Sequence, residues 1–367
     1  MSGDRLPRLR PRTRRRLTAG ILAAVAVVGL AVALIGSSSP STVAGNDGSG
    51  HGAGTTRGGS TKAHDPGSAA PTSKRTAATD AQAPPLGVYT GPGNSAAAEA
   101  AAAQLGNRVP YALDYLPRTT WTALTDPSWL AQRWQGSPFH LVIGVPMLPS
   151  SGATLAQGAT GAFDAQFQTL AERLVQDGLG GAILMLGYQP DDEDTPWYVG
   201  SRAAALDYVR YWRAIRATML AVPGAAFLFE WDAGDAGTSP ESPAAMYPGN
   251  AFVDIVATDA FDFVGADPAT HGHWATVLDQ RYGPAWMSAF AASHHKPMAI
   301  AIWGEVPAST GGAGDQPAYV TQLLRWAAAK GVVMCVLWDY QNMTLTGGAF
   351  PAASAALRRA VAAAAGA

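Results

Sequence analysis

Eight short apolar segments, each ending in aromatic or acidic residues, recur along the chain between Leu86 and Asp339. Their starts lie 23 to 44 residues apart, which leaves room for a helix between most neighbouring segments. In order, they read LGVYTG, VPYALDY, HLVIGVP, GAILMLGYQ, AAFLFEWDA, VDIVATDAFD, PMAIAIWGE and VMCVLWDY. Strands that alternate with helices in this way pair in parallel, so the spacing predicts an α/β fold with eight strand–helix units.

Eight such units are what a (β/α)8 TIM barrel requires, and in that fold the active site lies where the strands end. Helix boundaries support the alternation: Ser201 can cap a helix that runs through Met219, and Gly331 ends a helix that begins at Pro317. A doubly wound open sheet is the alternative. It would need a glycine-rich phosphate loop after an early strand, and Gly87–Gly93 lacks the required spacing.

The first 84 residues differ in composition from the rest. Residues 1–16 form a basic segment that we predict to be cytoplasmic, and residues 17–36 are uncharged and long enough to span a bilayer. The two segments together predict a single-pass membrane anchor with the barrel outside the cytoplasm. The alternative is a cleaved signal peptide, which would give a secreted protein. Residues 37–84, rich in Ser, Gly, Thr, Ala and Pro, predict a disordered linker, and 85–367 then form the barrel.

The predicted barrel is acidic, since residues 85–367 hold fourteen basic and twenty-three acidic side chains. This charge argues against a nucleic-acid partner, whose phosphates require clustered Lys and Arg. Cys335 is the single cysteine of the chain, which excludes an intrachain disulfide. His271 and His273 offer two metal ligands, but the spacing marks no third, so we predict neither a metal nor another cofactor. The sequence does not indicate the oligomeric state.

The predicted strand ends carry the side chains that sugar binding requires. Aromatic faces cover the apolar faces of pyranose rings, and carboxylates accept hydrogen bonds from sugar hydroxyls. The first two strand ends contribute Tyr89, Asp114 and Tyr115. The residues that we predict to contact a sugar are Tyr89, Tyr188, Gln189, Trp197, Trp231, Asp259, Asp262, Trp303 and Trp338.

These segments, with the motif Tyr247-Pro248-Gly249 and the stretch Asp254–Asp262, resemble glycoside hydrolase family 26. The resemblance covers about residues 85–345. It implies a (β/α)8 barrel that acts on a polysaccharide of the β-mannan or β-glucan class. It also implies a glutamate at the end of the fourth strand as general acid/base and a second glutamate at the end of the seventh strand as nucleophile.

Both catalytic positions implied by the resemblance hold other residues. Gln189 stands at the acid/base position and Ile302 at the nucleophile position. An amide cannot donate a proton as an acid, and an isoleucine side chain cannot attack an anomeric carbon. We therefore predict that the double-displacement mechanism of the family is absent.

Two hypotheses for function remain. In the first, the protein is a hydrolase with relocated carboxylates, one of them Glu305, three residues beyond the nucleophile position. The candidates for its partner are Glu230, Asp192 and Glu193, and a wide separation between loop carboxylates would suit an inverting mechanism. In the second, the barrel is catalytically silent and binds a glycan, or serves as a structural envelope protein. The two substitutions favour this second hypothesis.

Overall fold

The structure, a computed structural model, describes residues 83–106, 108–235, 237–263 and 273–363. The predicted basic segment, the predicted anchor, nearly all of the predicted linker and His271 lie outside these ranges. Within them, no helix is both long enough and apolar enough to cross a membrane.

Each of the eight apolar segments contains one strand. The strands are β1 (Leu86–Tyr89), β2 (Tyr111–Tyr115), β3 (His140–Val145), β4 (Ile183–Leu186), β5 (Leu228–Asp232), β6 (Ile255–Phe261), β7 (Met298–Gly304) and β8 (Met334–Trp338). Nearly all their residues are buried, because helices cover the outer face of the sheet and side chains fill the inner face. Burial on both faces explains why the segments read as continuous apolar runs.

The sheet closes on itself. All neighbouring strands pair in parallel and in sequence order, and β1 pairs with β8 from Leu86 opposite Cys335 to Tyr89 opposite Trp338. This closure confirms the predicted (β/α)8 barrel and excludes the open-sheet alternative. It also brings the carboxyl ends of all eight strands to one end of the barrel, which we call the barrel mouth.

Helices follow the strands around the barrel. They are α1 (Ser95–Gln104), α2 (Trp121–Leu124), α3 (Ser128–Trp134), α4 (Leu155–Gly158), α5 (Asp164–Gln176), α6 (Arg202–Leu220), α7 (Pro243–Met246), α8 (His273–Asp279), α9 (Pro284–Ser293), α10 (Pro317–Lys330) and α11 (Pro351–Ala363). The predicted boundaries hold for α6, where the Ser201 side chain accepts from the Ala204 backbone N–H, and for α10, which ends at Gly331 in a left-handed conformation.

Strand β7 carries a bulge near its carboxyl end. Thr258 of β6 pairs with Ile300, and Ala260 pairs with Trp303, so one residue of β6 lies opposite two residues of β7. The same register shift occurs against β8. The bulge includes Ile302, the residue at the nucleophile position of the family resemblance. An extra residue changes which face of the sheet the following side chains occupy, so residue counting along the sequence does not fix their direction.

Candidate functional site

Aromatic and acidic side chains occupy different parts of the barrel mouth. One part, which we call the aromatic half, comes from β1, β2, β8 and the loops after β4 and β8, and consists of Tyr89, Tyr115, Tyr188, Trp338 and Tyr340. The other part, which we call the acidic cluster, comes from β5, β6 and the loop after β4, and consists of Asp191, Glu230, Asp232 and Asp259. A mouth of this composition suits a ligand with both apolar faces and polar groups.

Tyr89 lies at the centre of the aromatic half. Its ring centroid is 4.5 Å from that of Trp338, 5.3 Å from that of Tyr115 and 5.6 Å from that of Tyr340. Tyr115 continues the series to Tyr188 at 5.1 Å. These are tilted and edge-to-face contacts, the arrangements that aromatic quadrupoles favour. The rings therefore hold one another in place from β8 to the end of β4.

Tyr115 fits into the mouth because its neighbour on β3 is a glycine. Gly144 pairs with Tyr115 in the sheet, and a Cβ atom at Gly144 would lie 2.2 Å from Tyr115 Cδ1. Any side chain at this position would displace the ring. Burial, with smaller contributions from Tyr188 and Asp259, raises the pKa of the Tyr115 hydroxyl well above its ordinary value.

Asp114, one residue earlier on β2, fixes the local backbone. Its carboxylate accepts hydrogen bonds from Trp134 Nε1 at 2.7 Å and from the backbone N–H groups of Gly93 and Tyr115 at 2.8 Å. Burial raises the pKa of Asp114 to about 6, although these hydrogen bonds act in the opposite direction. With its oxygens occupied, Asp114 orders the loop after β1 and the end of β2.

Gln189 connects the two parts of the mouth. Its backbone has a φ of 51°, in the left-handed region that non-glycine residues rarely adopt, and Gly187 shortly before it has a φ of 59°. The side-chain Nε2 donates to Asp259 Oδ2 at 2.7 Å, which ties the loop after β4 to β6. Strained backbone of this kind is concentrated at functional sites. The amide thus occupies a structured position beside a carboxylate.

Burial raises the pKa of every carboxyl group in the acidic cluster. Asp232 also acts on its neighbour Glu230, whose pKa rises to about 8, and the pKa of Asp232 itself rises to about 7. Burial also raises the pKa values of Asp191 and Asp259 well above their ordinary value. Repulsion from Asp232 and Asp235 acts in the same direction. Burial therefore disfavours the charged form of every carboxyl group in the cluster.

Asp262 and Glu305 form a second carboxyl pair, at the ends of β6 and β7. Both are fully buried. Burial raises the pKa of Asp262 to about 7, and burial together with Asp262 and Asp315 raises the pKa of Glu305 to about 9. His273 Nδ1 lies 3.4 Å from Asp262 Oδ1. The structure thus places Glu305 beside Asp262, and it places Glu230 beside Asp232.

The loop after β4 holds the other two predicted catalytic candidates. Asp192 is buried, accepts a hydrogen bond from the Asp194 backbone N–H at 3.0 Å, and has a pKa raised by burial to about 6. Glu193 is exposed. Trp197 is buried in the same loop, where its Nε1 donates to the Tyr188 carbonyl at 2.7 Å. Trp197 therefore supports Tyr188 from below the aromatic half.

Three further predicted sugar contacts are tryptophans with fully buried side chains: Trp231, Trp303 and Trp338. Trp338 belongs to the aromatic half. Trp231 lies on the face of β5 opposite to Glu230, and its ring is 5.1 Å from Tyr247 and 5.8 Å from Phe290. A sugar contact at Trp231 would require this packing against α9 to open.

Most of the buried side-chain polar atoms that make no hydrogen bond belong to residues at the strand ends. Within the described residues, they include the Tyr89 hydroxyl, Gln189 Oε1, Asp259 Oδ1, both oxygens of Glu230, Asp262 and Glu305, and the indole nitrogens of Trp303 and Trp338. Buried polar atoms in native proteins almost always have partners, and each exception calls for an explanation. Their concentration at the mouth marks it as the place where a polar ligand would complete the hydrogen bonding.

Most of the described side chains at the mouth are nevertheless buried. Tyr89, Tyr115, Gln189 and Asp259 are all at most 8% exposed. Two cavities of about 640 and 680 Å³ lie at the opposite end of the barrel, beside the amino ends of β3 and β4 and of β1 and β2. A ligand reaches the mouth only if the loops around it move apart.

Three residues near this site are absent from the predicted catalytic and sugar-contact residues, although Tyr115 was recognised at its strand end. Asp232 and Asp191 are members of the acidic cluster, and Tyr115 lies between that cluster and the aromatic half. Strand alternation was the available signal for Asp232, because residues two apart on β5 share a face and Glu230 was a candidate. The signal for Asp191 was its place in the acidic loop directly after Gln189. Within the described ranges, no group of three or more His, Cys, Asp or Glu residues is placed to hold a metal ion.

No protein-family model matches the sequence, and no curated protein matches it at a significant level. Solved structures do match. An endo-β-1,4-mannanase double mutant from Cellulomonas fimi is 16% identical with a TM-score of 0.51, over 70% of this chain and 65% of that chain. A ruminal family-26 endo-β-1,4-mannanase is 12% identical with a TM-score of 0.51, over 76% of this chain and 63% of that chain.

The family-26 protein GH26C from Muricauda sp. is 12% identical with a TM-score of 0.52, over 75% of this chain and 86% of that chain. The chain thus spans somewhat less than two thirds of the length of both mannanases. Likeness at this level of identity establishes the fold. The barrel has the fold that these family-26 glycoside hydrolases share.

Proposed function

We propose that the barrel binds a polysaccharide at its mouth and does not perform the double displacement of family-26 glycoside hydrolases. The observation that carries this proposal is the set of buried, unpartnered polar atoms at the strand ends beside the aromatic half. Hydroxyl groups and ring oxygens of a sugar can pair with such atoms, and the tyrosine and tryptophan rings can cover its apolar faces. The similar structures named as mannanases make β-mannan the first polysaccharide to test.

The proposed absence of the double displacement rests on the two substituted positions. Gln189 occupies the place where the resemblance puts the general acid/base, and its amide already donates to Asp259. Ile302, at the nucleophile position, is buried in the bulge of β7. Neither side chain can donate a proton or form a glycosyl ester.

Hydrolysis by relocated carboxylates is the second candidate function. It is favoured by the raised pKa of Glu305, about 9, and of Glu230, about 8, because a general acid must be protonated at the working pH. Each lies beside another carboxyl group, Asp262 and Asp232 respectively, so each pair offers an acid and a potential base. Loss of activity in Glu305→Gln or Glu230→Gln would identify the working pair.

We place this barrel outside the cytoplasmic membrane. Residues 17–36 supply the proposed anchor and residues 1–16 its cytoplasmic flank, because the uncharged tract is long enough to span a bilayer and the arginine cluster precedes it. In untreated cells the barrel should be found in the membrane fraction. Protease added to intact cells should digest it, because it lies outside the membrane. Release of the barrel into the medium would support signal-peptide cleavage instead.

Binding at the mouth is tested by co-sedimentation of the detergent-solubilised full-length protein with insoluble β-mannan. Tyr115→Ala should reduce retention at least about tenfold, the loss expected when an aromatic contact of about 1.4 kcal/mol or more is removed. The control is Tyr282→Ala, which removes a half-buried tyrosine between α8 and α9. Equal retention of Tyr115→Ala and the unmodified protein would exclude the mouth as the binding site.

A further inference from the structure

The acidic cluster lacks basic partners. Within the described residues, no Lys, Arg or His forms an ion pair with Asp191, Glu230, Asp232 or Asp259, and each of these is at most 6% exposed. Asp235 adds a further negative charge beside them. Carboxylates buried without a cation are costly, and removal of that cost requires protonation or a positively charged partner.

The hydrogen-bonding groups in this part of the mouth are mainly acceptors. Both oxygens of Glu230 and Oδ1 of Asp259 have no hydrogen-bond donor. The Gln189 side chain, 8% exposed, is directed into the cluster by its 2.7 Å hydrogen bond to Asp259, yet its own Oε1 also lacks a donor. An ammonium group matches such a set, because it carries three donors, no acceptor and a positive charge.

In the aromatic half, by contrast, buried hydrogen-bond donors lack acceptors. The Tyr89 hydroxyl and the indole N–H of Trp338 are buried without an acceptor. Hydroxyl and ring oxygens of a sugar would supply acceptors there, while the tyrosine rings would attract a nearby cation through their faces. Tyr115 connects the two parts through its ring, which contacts Tyr89 on one side and Tyr188, one residue before Gln189, on the other.

We propose that the sugar bound at the mouth carries a free amine, as in a polymer of de-N-acetylated hexosamine, with the ammonium group at the acidic cluster and the ring oxygens toward Tyr89 and Trp338. This inference rests on the proposed polysaccharide-binding function and adds the chemical class of the ligand. An N-acetylated sugar lacks the positive charge, and a neutral mannan lacks the charged donor.

The ligand must displace part of the closed rim to reach the cluster. Tyr340, which is only partly buried, lies across the loop after β1, where a Cβ atom at Gly91 would be 2.4 Å from its ring. Arg118 lies near the other side, with its guanidinium carbon 5.8 Å from the centre of the Trp197 ring. Arg118 is partly exposed and lies outside the acidic cluster, so it does not supply the missing cation.

The test compares three β-1,4-linked oligosaccharides of equal length by isothermal titration with the full-length protein, at about pH 6 and about 0.15 M salt, where long-range surface attraction is screened. They are a glucosamine oligomer, its fully N-acetylated form and a mannose oligomer. We expect the glucosamine oligomer to bind at least about tenfold more tightly than the other two, a difference of about 1.4 kcal/mol.

Variants separate recognition in the cluster from general attraction to an acidic barrel. Asp259→Asn, and Asp232→Asn as a second variant, should remove most of the preference for the amine over the mannose oligomer; circular dichroism identifies the variants that fold. Glu99→Gln on the exposed face of α1 is the control and should retain the preference.

An amine preference that persists in folded variants of both aspartates would overturn the assignment to the cluster. Equal or tighter binding of the mannose oligomer would overturn the amine proposal and leave polysaccharide binding intact. Failure of all three oligomers to bind, together with failure of insoluble β-mannan, would overturn both proposals.

Discussion

The side-chain amide of Gln189 donates a hydrogen bond to Asp259 Oδ2 at 2.7 Å and joins the loop after β4 to β6. The two residues are seventy positions apart in the chain and meet because the carboxyl ends of parallel strands share one end of the barrel. A neutral amide beside a carboxyl group of raised pKa is a compatible pair. A second carboxyl group in place of the amide would not be compatible, because two buried carboxylates repel each other.

Gln189→Glu should therefore destabilise the barrel. The substitution removes the donor to Asp259 and adds a titratable group to a buried acidic cluster, which we expect to lower the free energy of unfolding by about 1–3 kcal/mol. Urea denaturation measures the loss, and it should be larger at about pH 8 than at about pH 5, because ionised carboxyl groups repel one another. The control is Gln132→Glu on the exposed surface of α3. Unchanged stability at both pH values would refute the pairing.

The raised pKa values predict the direction in which stability changes with pH. Glu230 binds a proton up to about pH 8 in the folded barrel but only up to its ordinary value of 4.5 when unfolded. Between these values the folded state binds more protons, so the free energy of unfolding falls as the pH rises. The free energy of unfolding should therefore decrease less between about pH 5 and about pH 8 in Glu230→Gln. The difference from the unmodified protein should be on the order of 3 kcal/mol.

Chemical denaturation across that pH range measures the effect. Asp207→Asn on α6 is a matched control, because Asp207 is partly exposed and has Arg210 as a partner at 3.8 Å. Stability that rises from pH 5 to pH 8, or a slope that is identical in Glu230→Gln, would show that Glu230 does not hold a proton in the folded barrel.

Gly144→Ala tests the packing of Tyr115. The new Cβ atom would lie 2.2 Å from Tyr115 Cδ1, so the ring must move, and overpacking of this kind costs about 1–3 kcal/mol. Thermal unfolding measures the cost, and binding of β-mannan should fall with it. Gly181→Ala is the matched control, because a Cβ atom there meets nothing within 4 Å. If the Gly144→Ala and Tyr115→Ala losses add without coupling, the two residues do not share this contact.

The barrel itself was predictable because strand spacing and helix boundaries agree along the chain. Ser201, Pro317 and Gly331 marked helix ends through local chemistry, and the structure confirms them. Helix faces are harder to predict than helix ends: the apolar Leu206 on α6 is 45% exposed. Neighbouring helix residues lie about 100° apart, so a small error in the assumed face moves a residue to the surface.

The site was less predictable because its contacts join distant parts of the chain. Asp262 contributes to the raised pKa of Glu305, and Asp232 to that of Glu230, and neither of these neighbours was among the candidate partners that the sequence offered for Glu305. The bulge in β7 and the left-handed backbone of Gln189 leave no mark in the sequence. Such features arise from tertiary packing, which local patterns do not report.

Simultaneous measurement of binding and cleavage tests the central claim most directly. The full-length protein is incubated with soluble β-mannan and β-glucan, affinity electrophoresis reports binding, and a reducing-end assay reports cleavage. We predict retarded migration in at least one polysaccharide, with reducing ends equal to those of a protein-free sample. Reducing ends that accumulate with time and disappear in Glu305→Gln or Glu230→Gln would contradict the account and establish a hydrolase with relocated carboxylates.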